Sequence, residues 1–177
     1  MNHSSNHPQE ILRARAQALA RAPENQLHAG TMLEVLEFRL AQETYAVENS
    51  FVSEVYPLKE LTPLPCTPPF VRGIVNVRGR ILPVLDLKKL FDLPEQGLTD
   101  LHRIILVRGY DLELGLLADV VTGVRLLPAA NLQASLPTLT GIRSDYLKGV
   151  TAERLVVLDL ARILADPKIM IHEEVGN

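Results

Sequence analysis

The 177-residue chain is 47% hydrophobic and 22% charged, a balance that builds a core and excludes a disordered polypeptide. Its net charge of −3 removes the electrostatic case for nucleic acid as the main partner, and a single cysteine, Cys66, excludes an internal disulfide and fits a reducing cytoplasmic setting. No apolar run approaches a membrane span, Trp is absent and aromatics make up only 5%, so stacking platforms for bases or sugars are not expected.

Residues 1–8 are polar and lack the apolar centre of a signal peptide. The spacing predicts a short helix over residues 9–22, with Pro8 where a helix can start and Pro23 where it must stop. Its apolar side is Leu12, Ala16, Leu19 and Ala20, and Arg13, Arg15 and Arg21 lie largely elsewhere. Such a helix is stable only when docked, either on its own domain or on another subunit. From residue 31 the pattern changes to strands. Residues 32–40 alternate loosely, 42–44 mark a turn and 45–47 resume. Further β-rich segments are expected at 51–56, 74–77, 81–85, 103–107, 113–117, 120–127 and 154–158. Many short strands with close turns point to an all-β fold of small barrels rather than an alternating βαβ layout.

The same short pattern occurs twice. Phe70, Val71, Arg72 and Gly73 precede an apolar run ending in Leu85, Asp86 and Leu87; Tyr146, Leu147, Lys148 and Gly149 precede one ending in Leu158, Asp159 and Leu160. Upstream, Tyr45, Val47, Phe51 and Val55 fall on Leu114, Leu116, Val120 and Val124 at an offset of 69. The offset becomes 76 at Gly73/Gly149 and 73 at Asp86/Asp159, which places one insertion in the loop over 135–145 and makes the second hairpin shorter. Self-similarity of this kind reports two copies of one unit. The expected layout is a polar tail and short helix over 1–30, one domain over 31–170 and a tail over 171–177. Within the domain the copies cover about 31–98 and 99–166, with strand exchange between them left open.

Asp86 and Asp159 each end an apolar strand and precede a short apolar-basic stretch. An aspartate there caps a helix by accepting backbone N–H groups. The alternative, an acid–base carboxylate pair, requires both to reach one pocket. No phosphate loop or nucleophile elbow is present. His3, His7, His28, His102 and His172 lack metal-ligand spacing, and Cys66 has no histidine nearby in sequence. Neither a catalytic residue, a metal nor a cofactor is therefore expected. The turn at residues 73–80 is distinctive: Asn76 and Gly79 tolerate positive φ, and Arg78 projects from the tip toward a partner carboxylate or toward solvent.

Residues 69–87, with Asn76-x-Arg78-Gly79 and Pro83-Val84-x-Asp86-Leu87, resemble the signature of the CheW family of bacterial chemotaxis coupling proteins. Tyr45, Ala46 and Val47, residues 52–55, residues 115–121 and the second copy of the repeat extend the likeness over about 32–164. The resemblance implies two SH3-like five-stranded β-barrels and a non-catalytic adaptor. Its implied partners are a chemoreceptor's cytoplasmic tip and the regulatory domain of a CheA-type histidine kinase, with recruitment to membrane-associated receptor arrays but no membrane insertion. Arg78 matches the family's hairpin arginine at the receptor contact, and Val52 and Glu54 match positions on the strand beside it. The resemblance leaves the kinase-contact residues unassigned. A small-ligand sensor or enzyme with a pocket between the barrels is the alternative reading.

Overall fold

The computed structural model describes residues 30–134 and 142–169; the helix expected over 9–22, the C-terminal tail and residues 135–141 lie outside them. The described residues form ten strands: β1 (Met32–Leu40), β2 (Glu43–Glu48), β3 (Val52–Pro57), β4 (Val71–Val77), β5 (Arg80–Asp86), β6 (Arg103–Gly109), β7 (Leu112–Ala118), β8 (Val120–Pro128), β9 (Leu147–Val150) and β10 (Val156–Leu158). Short helices α1 (Leu87–Leu90), α2 (Ile142–Asp145) and α3 (Leu160–Ala165) follow β5, precede β9 and follow β10.

Two five-stranded sheets result, ordered β8-β1-β2-β10-β9 and β3-β6-β7-β5-β4. When β6–β10 are taken as the second copy of β1–β5, both sheets read third, first, second, fifth, fourth. Each takes its first and second strands from one copy and the other three from its partner. The pairing registers repeat at the sequence offsets. Phe38↔Tyr45 becomes Val107↔Leu114, Val84↔Gly115 becomes Val157↔Ala46, and Val55↔Ile105 becomes Val124↔Leu36. Each sheet curls into an SH3-like barrel, referred to by its edge strand as the β3 barrel or the β8 barrel.

Alternation along the strands sends side chains to one barrel interior or to the space between the sheets. Val75, Val84, Ile104, Leu106 and Leu117 fill the β3 barrel; Val35, Ala46, Leu127, Leu155 and Val157 fill the β8 barrel. The larger shared core holds Phe38, Tyr45, Leu85, Val107, Leu116, Leu158, Leu160 and Ile163, with stacked Phe38–Tyr45 and Tyr45–Phe91 rings at centroid separations of 6.2 and 5.9 Å. Burying this core against both sheets makes the two barrels one body.

The repeated glycines admit a crossing chain. Thr62 and Ile74 exchange two backbone hydrogen bonds of 2.9 Å, and Gln133 and Val150 exchange two of 3.0 and 2.9 Å, closing the free edges of β4 and β9. Gly73, at φ +148°, lies beneath Thr62, and Gly149 lies beneath Leu132 and Gln133. Three details differ from the sequence expectation. The first hairpin turns at Ala41 and Gln42, because Ala41 takes the left-handed conformation at φ 54°, and β2 already starts at Glu43. Leu147–Val150 is a strand that the short Lys148-Gly149 stretch did not announce. The positive-φ residues of the β4–β5 turn are Arg78 and Gly79, whereas Asn76 stays in the ladder.

Candidate functional face

The two copies differ most at their fourth-to-fifth-strand hairpins. Ile74↔Pro83 in the first corresponds to Val150↔Val156 in the second, and the first reaches farther before it turns. Arg78 and Gly79, at φ 52° and 83°, form its two-residue tip, the geometry of a type I′ turn that suits the strands' twist. The Asn76 side-chain oxygen accepts the Gly79 N–H at 2.8 Å and fixes the loop. The added length carries Arg78 out of the barrel wall, where its side chain is 70% exposed.

Arg78 reaches across the barrel mouth to β3. Its Nη2 donates to Glu54 Oε1 at 2.9 Å. Val52 stands on the same strand, opposite Val107, and packs against the shared core. The structure thus brings Arg78 beside Glu54, 24 residues away in sequence, and near Val52 on the same strand, at one end of the β3 barrel. The β6–β7 tip lies at this end too, since β5 and β7 run parallel and Glu113 on β7 pairs with both Arg80 and Arg108.

Ile81 and Tyr110 are the large side chains that sequence reasoning missed here, at 57% and 66% exposed. Ile81 was hidden in an apolar run that reads as core. The register separates it: Leu82 and Val84 face the barrel interior, and Ile81 faces the other way, beyond the last covering residue of the shared core. Gly109 and Asp111 mark the turn that holds Tyr110, where Tyr110 and Asp111 take φ 52° and 61°, but the pattern did not say that this tip lies at the Arg78 end. The face therefore combines exposed apolar side chains with an arginine already aimed by a carboxylate. That combination suits contact with a protein surface.

Asp86 and Asp159 stand apart from this face. Asp86 accepts the Lys88 N–H at 3.0 Å at the start of α1, and Asp159 accepts the Arg162 N–H at 3.1 Å at the start of α3. Their backbone N–H groups bond to Phe70 and Tyr146 carbonyls at 2.7 and 2.8 Å, one more repeated contact. Cys66 is exposed, and among the described residues no three His, Cys, Asp or Glu side chains cluster as metal ligands.

A long-range cluster lies at the α1 end. Lys88, 2% exposed, donates to Asp119 Oδ1 at 2.5 Å, Ala41 N–H donates to Oδ2 at 2.7 Å, and His102 Nε2 lies 3.0 Å from Oδ1. Burial pushes the Asp119 carboxyl up, but the Lys88 and Ala41 hydrogen bonds and the Lys88 and His102 charges outweigh it and hold the group below its usual range. The cluster ties the β1–β2 turn, α1 and the β7–β8 corner together, so it serves architecture. At α3, burial and the bond donated to Asp166 push the Tyr146 hydroxyl well above the ordinary phenol range. Near the base of β4 a cleft of about 690 Å³ is lined by Leu58, Leu61, Lys59, Arg72 and Lys89 among others.

Comparison with known proteins agrees with this architecture. A profile of the CheW-like domain matches residues 34–168. The chain is 28% identical over 143 residues to "Chemotaxis protein CheW" of Treponema pallidum (strain Nichols), covering 77% of this chain and 84% of the relative. It is 30% identical over 136 residues to the Thermotoga maritima protein of the same name, covering 75% and 88%. The crystal structure of scaffolding protein TtCheW from Thermoanaerobacter tengcongensis superposes with a TM-score of 0.65 at 30% identity, over 72% of this chain and 89% of that one.

Proposed function

The chain belongs to the CheW family, a family of non-catalytic chemotaxis scaffolds, and from that premise we propose that it couples chemoreceptors to a CheA-type histidine kinase. One partner is the cytoplasmic tip of a receptor, which lays an apolar helical surface on the end of the β3 barrel. Val52 and Ile81 bury apolar area, and Arg78, held by Glu54, sets the register. The other partner is the kinase's regulatory domain, bound through surface that this reading leaves unassigned. The observation that carries the proposal is the projecting hairpin: the β4–β5 copy alone is long enough to place an exposed arginine beside an exposed isoleucine.

Signal passes by geometry. A receptor state that favours one arrangement of the assembly shifts the kinase's equilibrium only by its differential affinity for the arrangements. Among the described residues no helix is long and apolar enough to cross a membrane, and on this account receptors recruit the protein to their arrays.

The test is calorimetry with a CheA-type regulatory domain and, separately, a receptor-tip fragment. Binding of both at about micromolar strength, typical of signalling contacts, is expected. Arg78→Glu should weaken receptor binding, leave kinase binding within error and leave the melting temperature unchanged. Equal receptor binding by that variant would remove Arg78 from the contact. A ligand-dependent rise in melting temperature with a small metabolite, and no protein binding, would instead support a sensor module.

A further inference from the structure

The end of the β3 barrel carries two tips of one design, side by side. Arg78 and Gly79 join β4 to β5 between the paired residues Val77 and Arg80; Tyr110 and Asp111 join β6 to β7 between Gly109 and Leu112. Both loops hold two residues at positive φ, 52° and 83° in the first and 52° and 61° in the second, and each sets a large side chain at its first position. Carrying the parallel β5–β7 register back from Val84↔Gly115 puts Arg80 level with Asp111, and the Arg80–Glu113 ion pair joins the two strands at that level. β5 and β7 are neighbours in the sheet, so with strands about 4.8 Å apart the centres of the two loops lie about 10 Å apart.

Packing does not account for Tyr110. Its side chain is 66% exposed, and among the described residues it joins no apolar cluster and has no hydrogen-bond partner. A turn of this kind favours Gly or Asn, and an aromatic at left-handed φ is disfavoured. The root of the tip is firmly held all the same. Glu113, 15% exposed, pairs with Arg80 on β5 and with Arg108 across the β6–β7 ladder. Gly109 lies so close to α3 and to Phe51 that an added Cβ would fall 2.9 Å from Leu164 Cδ1 and 3.4 Å from Phe51 Cδ1. The tip therefore holds an exposed ring with few rotamers on a stiff support, which is the make-up of an interface anchor.

We propose that Tyr110 is a second receptor contact and that, together with Arg78, it determines which receptor helix this face accepts. The inference rests on the reading of the Arg78 end as the receptor face and continues that face to the neighbouring tip. A helix rises about 1.5 Å per residue, so a span of about 10 Å covers about seven residues, or two turns, which returns to the same side of the helix. Arg78 keeps donors beyond the one that Glu54 accepts, and these suit a carboxylate on the helix. The Tyr110 ring suits an apolar side chain about seven positions along. An arginine alone accepts any helix that offers a carboxylate. The two tips together require a carboxylate and an apolar residue at a set spacing, and that requirement is what selects the partner.

Calorimetry of the full chain with a receptor-tip fragment tests it, with urea unfolding of the same variants. Tyr110→Asn should weaken receptor binding about tenfold, leave binding of the kinase regulatory domain unchanged and not lower the urea midpoint, because Asn suits the turn. Tyr110→Phe should bind the receptor fragment as the unaltered protein does. Receptor binding undiminished in Tyr110→Asn overturns the inference, and the Arg78 reading stands if Arg78→Glu still loses affinity. A lower midpoint in Tyr110→Asn makes the ring structural and also overturns it. Failure of the unaltered protein to bind the fragment removes the reading and the inference together. A benzophenone photo-crosslinker at position 110 should capture receptor residues about seven positions from those captured at position 78; capture of the kinase domain instead overturns the proposal.

Discussion

Replacing the two repeated glycines by alanine measures how faithfully the duplication reuses one contact. At Gly73 an added Cβ would lie 2.3 Å from the Thr62 carbonyl oxygen and 2.8 Å from its carbon, both backbone atoms, at φ +148°. Relief requires Thr62 to retreat, which breaks the two 2.9 Å hydrogen bonds it exchanges with Ile74. Two such bonds at about 1 kcal/mol each plus about 1 kcal/mol for a side chain in disfavoured backbone give about 3 kcal/mol. At Gly149 the added Cβ meets Leu132 Cβ at 2.9 Å and the Gln133 oxygen at 3.2 Å, with no positive φ. Leu132 Cβ is carried by its backbone, so the Leu132–Gln133 segment itself must retreat, but only by a few tenths of an ångström, at about 1 kcal/mol. Urea unfolding of Gly73→Ala and Gly149→Ala, with m-values checked for constancy, gives both numbers. Equal costs, or a larger cost at Gly149, would refute the reasoning that the deeper overlap and the positive φ make Gly73 the more demanding site.

Asp119→Ala leaves Lys88 buried without its carboxylate and should cost about 3–5 kcal/mol; adding Lys88→Met should recover much of the loss, and a double variant no more stable than the single one would contradict the pairing. The lowered Asp119 carboxyl contributes stability that is present above the unfolded value of about 3.9 and disappears as pH falls through the lower folded value. The acid limb of stability between pH 5 and 2 should therefore flatten in Lys88→Met/Asp119→Asn. Asp159→Ala removes a helix cap and should cost about 1 kcal/mol by urea unfolding, with partner affinity unchanged by calorimetry.

The duplication could be read from the sequence because its markers are local. Gly73 and Gly149 leave room for a crossing chain, and the Asp86 and Asp159 carboxylates cap the helices that follow them. The exchange of strands could not be read, because an offset says that β2 resembles β7 and nothing about β2 lying beside β10. The Lys88–Asp119 pair was hidden for the same reason: it joins residues 31 apart through a parallel crossing of β5 and β7. On the functional face, Arg78 was visible because its turn announces it, whereas Ile81 needed the register to separate it from Leu82. Gly109 and Asp111 mark the turn around Tyr110, but only the parallel pairing of β5 and β7 brings that tip to the Arg78 end.

The central claim, an adaptor that joins receptor to kinase through the Arg78 face, is tested most directly by kinase autophosphorylation in receptor-containing membranes with and without this protein. The account predicts receptor-controlled kinase activity only when the protein is added, lost with Arg78→Glu although that variant still binds the kinase. Receptor control without the protein, or full control with Arg78→Glu, would contradict it.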